Sequence, residues 1–149
     1  MTDPLAFESV TPAGAAQAWV DAWSTGWAKH DTEAIAQRYS RDCVFVSHPF
    51  RTVGRGRDAA SIWVRDTFAQ ERSVRFVFGA PIVAPDGRAA VEYRAVITDL
   101  DGAEHTLAGT TVLRFDRTGR VLEHRDYWAI ADGDHGLGTP IDPSREAMR

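Results

Sequence analysis

Leu122, His124, Asp126 and Trp128 alternate along Val121–Ile130, a segment whose residues favour an extended chain. In a strand, alternate side chains share a face. A carboxylate and an imidazole therefore sit together between apolar neighbours. A carboxylate on such a face is costly unless it is paired or has a chemical task. The task that suits Asp126 is that of a general acid or base. The structural alternative is a pairing with an arginine, or acceptance of an indole proton from a tryptophan of the first helix.

The elements that must position these groups can be read from the remaining pattern. Thr11 and Pro12 make a helix start, a hydroxyl cap followed by a proline at the first helical position. Ala16, Trp19, Val20, Trp23 and Trp27 then recur at spacings of three and four, one apolar stripe that ends near Lys29–His30. The stripe reads as core whose ends line a cavity. Asp31 caps a short second helix, with Ile35 and Tyr39 facing inward. Cys43 to His48 is a β-rich run that Pro49 stops. A third helix is predicted from about Arg57 to Gln70, with Ala59, Ile62, Trp63 and Phe68 as its apolar positions and Arg55 and Arg57 turned to solvent.

Beyond Ser73 the period changes to two. Strands are expected from Val74 to Phe78, Arg88 to Thr98, His105 to Phe115 and Val121 to Ile130, joined by Gly-containing turns. Val91, Tyr93, Ala95 and Ile97 share one apolar face. Leu107, Gly109, Thr111, Leu113 and Phe115 share another. Short connections imply an antiparallel meander, and helices before sheet imply an α+β domain. The mixed opposite faces carry enough Ala, Val and Thr to suggest cover by a second subunit, hence a homodimer.

A chain of 149 residues, 44% hydrophobic and 26% charged, fits one globular domain. It divides into an N-terminal tail at 1–10, a domain at 11–130 and a C-terminal tail at 131–149. A net charge of -4 and the lack of a basic run argue against nucleic acid and against a membrane surface as partner. Cys43 is the single cysteine, which rules out an internal disulfide. The first residues lack the basic and apolar parts of a signal peptide, so a soluble cytoplasmic protein is the expectation. No His, Asp and Glu cluster has metal-ligand spacing, and no phosphate loop or nucleophile motif is present. Neither a metal nor a cofactor is expected. His30, His105 and His135 fall near turns or ends and read as surface.

The order of these parts resembles the nuclear transport factor 2-like superfamily, and its SnoaL-like branch, over roughly residues 12 to 130. The carrying features are the Trp-rich first helix, Tyr39-Ser40-Arg41-Asp42-Cys43-Val44-Phe45, the passage Pro49-Phe50 to Gly54-Arg55-Gly56-Arg57-Asp58-Ala59, and the ending His124-Arg125-Asp126-Tyr127-Trp128. The resemblance implies a strongly curved, mostly antiparallel sheet wrapped on three helices, a cone-shaped barrel with an internal hydrophobic pocket. It also implies a homodimer, and functions that range from isomerases, cyclases, dehydratases and epoxide hydrolases to binding modules without catalysis.

Asp126 matches the aspartate in the Arg-Asp-Tyr-Phe ending of limonene epoxide hydrolases. Tyr93 and Ala95 stand where those enzymes carry an Arg-x-Asp pair, so that catalytic set is incomplete. His48, before Pro49, matches the aspartate base of the steroid isomerases, and a histidine can serve as a base near neutral pH. The two comparisons disagree on register. One points Phe45 and Ser47 inward, the other Val46 and His48. The resulting candidates are Asp126 as acid or base, His48 as the complementary group, and Tyr93 as donor to developing oxyanion charge. Trp19, Trp23, Trp27, Trp63 and Trp128 would contact a small apolar or aromatic molecule, with Phe45, Ser47, Leu113 and His124 completing the wall. The alternative is a ligand-binding or dimerisation module without catalysis.

Overall fold

The computed structural model describes residues 10–138. Residues 1–9 and 139–149, which include most of both expected tails, lie outside the described residues.

Helix α1 spans Pro12–Lys29. Thr11 caps it, its hydroxyl accepting from the Gly14 N–H at 3.1 Å, with Pro12 in the first turn. It stops at His30, which adopts a left-handed conformation (φ 51°) and donates its N–H to the last-turn carbonyls. Trp19, Trp23 and Trp27 are all buried on one side. Asp31 caps α2, which covers only Thr32–Ala36.

Tyr39 is not the end of that helix. It opens strand β1, Tyr39–Val46. Its spacing of four from Ile35 mimics a helical turn, yet the chain has already left the helix at Gln37. Strand β2 is the pair Gly54–Arg55, and α3 runs Arg57–Phe68. Ala60, Val64 and Phe68 form its buried side, while Ile62 is 48% exposed, contrary to the predicted stripe. Arg57 is not turned to solvent either. Its Nε donates to the Tyr39 carbonyl at 2.7 Å and ties α3 to the start of β1.

The remaining strands are β3 (Glu71–Phe78), β4 (Ile82–Val83), β5 (Ala89–Asp99), β6 (Glu104–Phe115) and β7 (Val121–Asp132). They form one sheet in the order β2-β1-β7-β6-β5-β3, with β4 beside β5. The meander β3-β5-β6-β7 is antiparallel. Strand β1 adds to it in parallel with β7, a pairing of the first long strand with the last that no local pattern announces. The sheet curves over the three helices but does not close, because β2 and β3 remain as separate edges. The expected barrel is thus an open, curved sheet.

The core lies between the inward face of the sheet and the helices, centred on the α1 tryptophans, Ile35, Tyr39, Val64 and Leu113. Strand β7 continues two residues past 130, and Thr106 then pins the following loop, donating to the Gly133 carbonyl at 2.7 Å and accepting from the His135 N–H at 2.9 Å. Among the described residues no helix is long and apolar enough to cross a membrane.

Candidate active site

Strand β7 turns His124 and Asp126 to the concave face, and both are buried, His124 to 1% exposure. Antiparallel pairing puts Thr111 directly opposite Asp126, Leu113 opposite His124 and Gly109 opposite Trp128. On the other side, parallel β1 sets Phe45 beside His124. These two strands frame a cavity of about 650 Å³ between the sheet and helices α1 and α3. All five tryptophans of the chain line it, with Asp126, His124, Thr111, Tyr93 and Phe78 among the other wall residues.

One chain of polar contacts organises this wall. The indole N–H groups of Trp19 and Trp23 point at the Tyr39 hydroxyl oxygen, at 3.2 and 3.4 Å. That oxygen lies 2.8 Å from His124 Nδ1. An indole N–H can only donate, and a phenol oxygen has two lone pairs. With both lone pairs engaged, Tyr39 must give its own proton to His124 Nδ1. The neutral ring therefore carries its hydrogen on Nε2, 2.9 Å from Asp126 Oδ2. This last contact is close but lies outside hydrogen-bond alignment, so Nε2 is buried without a bonded partner. The other Asp126 oxygen accepts the Thr111 hydroxyl at 2.6 Å. The donors run in order from the indoles through Tyr39 to His124, and Thr111 donates to Asp126, which is left as an acceptor.

Two buried tyrosines feel the charge of this carboxylate, and both hydroxyls are held well above their ordinary titration range. For Tyr39 and Tyr93 alike burial is the main cause, and the Asp126 charge adds to it. Both stay protonated, hence donors. Gly109 gives Tyr93 its position. A Cβ there would lie 2.9 Å from the Tyr93 hydroxyl and 2.6 Å from Trp128 Cβ and the Tyr127 carbonyl. Trp128 is fixed at one end of the wall by its indole N–H, which donates to the Ser47 carbonyl at 2.6 Å, and the Arg51 guanidinium sits 5.5 Å from its ring.

A second buried acid occupies the same cavity. Glu71 opens β3, and its carboxylate accepts the Trp27 indole N–H at 3.0 and 3.3 Å and meets His30 Nε2 at 3.2 Å. Burial pushes its carboxyl above the usual range, and Trp27 and His30 pull it back. Nearby Asp99 and His105 pair at 2.8 Å and also line the cavity. His30 and His105 are thus both half-buried parts of polar contacts rather than free surface residues.

Of the residues singled out from sequence, Asp126, Tyr93, Ser47, His124 and the five tryptophans lie on the cavity wall. His48 does not. The irregular register in β1 falls between Tyr39 and Val44, not before Pro49, and it leaves Cys43, Phe45 and Ser47 inward. His48 instead packs against Trp128, ring centres 4.5 Å apart. Phe45 and Leu113 are core. Phe45 stacks on Trp63 at 5.1 Å and fills the space beside Gly54. The pattern placed Tyr39 inward and Thr111 on a shared strand face without giving either a role at the site, and it did not single out Glu71. Thr111 had a usable signal, because it shares the inward face of β6.

Residues 16–124 match the family model of the SnoaL-like domain. No curated protein matches the chain. Among solved structures, the fold is similar to SalBIII, an epoxide hydrolase/cyclase-like enzyme with a role in pyran ring formation in the polyether salinomycin (TM-score 0.70, 17% identity, 80% of this chain and 95% of that one). RV0760c from Mycobacterium tuberculosis is similar at TM-score 0.69 and 15% identity, over 80% and 96% of the two chains. A protein with a ketosteroid isomerase-like fold from Catenulispora acidiphila, in complex with trimethylamine, is similar at TM-score 0.64 and 23% identity, over 74% and 85%. At such identities the likeness is one of fold.

Proposed function

The chain belongs to the SnoaL-like domain family, and from that premise we propose that its cavity binds a small, largely apolar or aromatic molecule and moves a proton on it without a cofactor. The reading is carried by one observation. Asp126 lines the cavity with Thr111 and His124 held against its two oxygens. A carboxylate so placed takes a proton from an acidic C–H of the bound molecule and becomes a carboxylic acid. The electron pair released from that bond moves onto a carbonyl oxygen. Tyr93 O–H, on the cavity wall, is the group that can donate to the oxyanion formed. Return of the proton from Asp126 to another carbon completes an isomerisation, and the same enolate can close a ring. His124, fixed by Tyr39, takes the complementary role that the resemblance offered to His48.

The walls support an apolar ligand, since indoles and Phe78 make up much of the lining. The Catenulispora protein and SalBIII add the support that this fold houses small organic molecules. We further propose a homodimer joined through the outer face of the sheet, where Ala108, Tyr127 and Ala129 are exposed side by side.

The test is solvent exchange. A panel of aromatic ketones is incubated with the protein in D₂O, and deuterium entry next to the carbonyl is followed by NMR. The wild type should accelerate exchange for at least one member, and Asp126→Asn should abolish the acceleration while retaining fold and ligand binding. Ligand binding with no exchange by the wild type would leave a binding module.

A further inference from the structure

We propose that the Glu71 end of this cavity recognises a protonated amine, so that the ligand is an apolar or aromatic molecule bearing a basic nitrogen. The inference rests on the reading that the cavity takes a small molecule, and adds the charge of that molecule.

Glu71 has no part in the proton transfer, yet its side chain is 97% buried by position, at 3% exposure, on the cavity wall. Trp27 and His30 hold the carboxylate in place but use only part of its acceptor capacity, since an ionised carboxylate offers about four lone-pair sites. The charges around the cavity are unequal. Glu71, Asp99 and Asp126 line it, with Asp66 at the rim, 69% exposed and 3.7 Å from Arg65, against Arg51 alone among the lining arginines. His105 offsets Asp99. The remaining wall is indole, and tryptophan is the side chain whose ring face best attracts an organic cation. A buried carboxylate within an aromatic wall is therefore matched to an ammonium group with an apolar body.

Asp126, with His124 Nε2 2.9 Å away, lies on the wall of the same cavity as Glu71. An ammonium anchored at Glu71 would leave the body of the molecule to extend toward Asp126 and Tyr93. Recognition would then occur at one acid and chemistry at the other.

Because all five tryptophans line the cavity, intrinsic fluorescence reports on its occupancy. Three probes of similar shape are titrated: 2-phenylethylamine as the ammonium ion, neutral 2-phenylethanol, and anionic 3-phenylpropionate. The ammonium should bind at least tenfold more tightly than the alcohol, and the anion most weakly. Glu71→Gln keeps an acceptor for Trp27 and should erase most of the preference for the ammonium while the alcohol still binds. Alcohol binding as tight as the amine in the wild type would overturn the amine site and leave the small-molecule reading intact. Failure of all three probes, and of the aromatic ketones above, would remove both.

Discussion

Two places in this molecule join a buried carboxylate, an imidazole and an indole, and they are wired differently. At the β7 site, indoles of Trp19 and Trp23 feed Tyr39, Tyr39 feeds His124, and His124 faces Asp126. The tryptophans never touch the acid. At the other site Trp27 donates directly to Glu71, and His30 completes the contact from the C-terminus of α1. The imidazole is 1% exposed in the first case and 30% in the second. The same residue types thus serve two ends. An acid whose neighbours are themselves held in one orientation suits a reaction. An acid held directly by an indole suits a fixed charge that a ligand can find.

The contrast can be broken at its strongest point. Asp126→Asn should lower the exchange rate by about a thousandfold, the scale of losing a positioned base. A variant that retains its rate would remove the β7 site from the chemistry. Tyr39→Phe should come next. It strands two indole N–H groups and one imidazole nitrogen in the core, at a cost of about 3 kcal/mol in denaturant unfolding. It should also free the His124 tautomer, so that kcat falls more than KM rises. A stability loss with unchanged kcat would make Tyr39 a packing residue only.

Gly109→Ala tests the wall between Tyr93 and Trp128. The added Cβ meets Trp128 and a backbone carbonyl, so destabilisation of roughly 1–3 kcal/mol is expected, with a loss of ligand affinity. Thr111→Val removes one donor from Asp126 and should cost about 1–2 kcal/mol in the barrier to exchange, while Thr111→Ser, which keeps the hydroxyl, should restore most of the rate.

The smallest expected effect concerns Glu71. Burial raises its carboxyl, so the folded protein keeps that proton to higher pH than the unfolded chain, whose value is near 4.5. Its contribution to stability is then fully present below about 4.5 and lost as the pH climbs through the raised value. Unfolding free energy of the wild type relative to Glu71→Gln should decline across the weakly acidic range. A flat difference would mean that Trp27 and His30 fully offset the burial.

The sequence made the inward face of β7 legible because period-two alternation places His124 and Asp126 together whatever the rest of the fold does. The tryptophan stripe of α1 was legible for the same reason, a local period. Tyr39 was hidden because its spacing from Ile35 fits a helix that ends at Ala36. Its role depends on three elements that meet only in the folded chain. The direction of His48 was beyond a local reading, since a register irregularity near the start of β1 sets which side of that strand faces in. Glu71 sits where α3 gives way to β3, at a change of period where neither pattern assigns a face.

The order of donors from the indoles through Tyr39 to His124 sets which ring nitrogen faces Asp126. ¹⁵N NMR of histidine-labelled protein reads the two ring nitrogens of His124. The expected spectrum shows the hydrogen on Nε2 and a bare, hydrogen-bond-accepting Nδ1, converted to a mixture in Tyr39→Phe. A His124 with its hydrogen on Nδ1 would reverse that order and overturn the assignment.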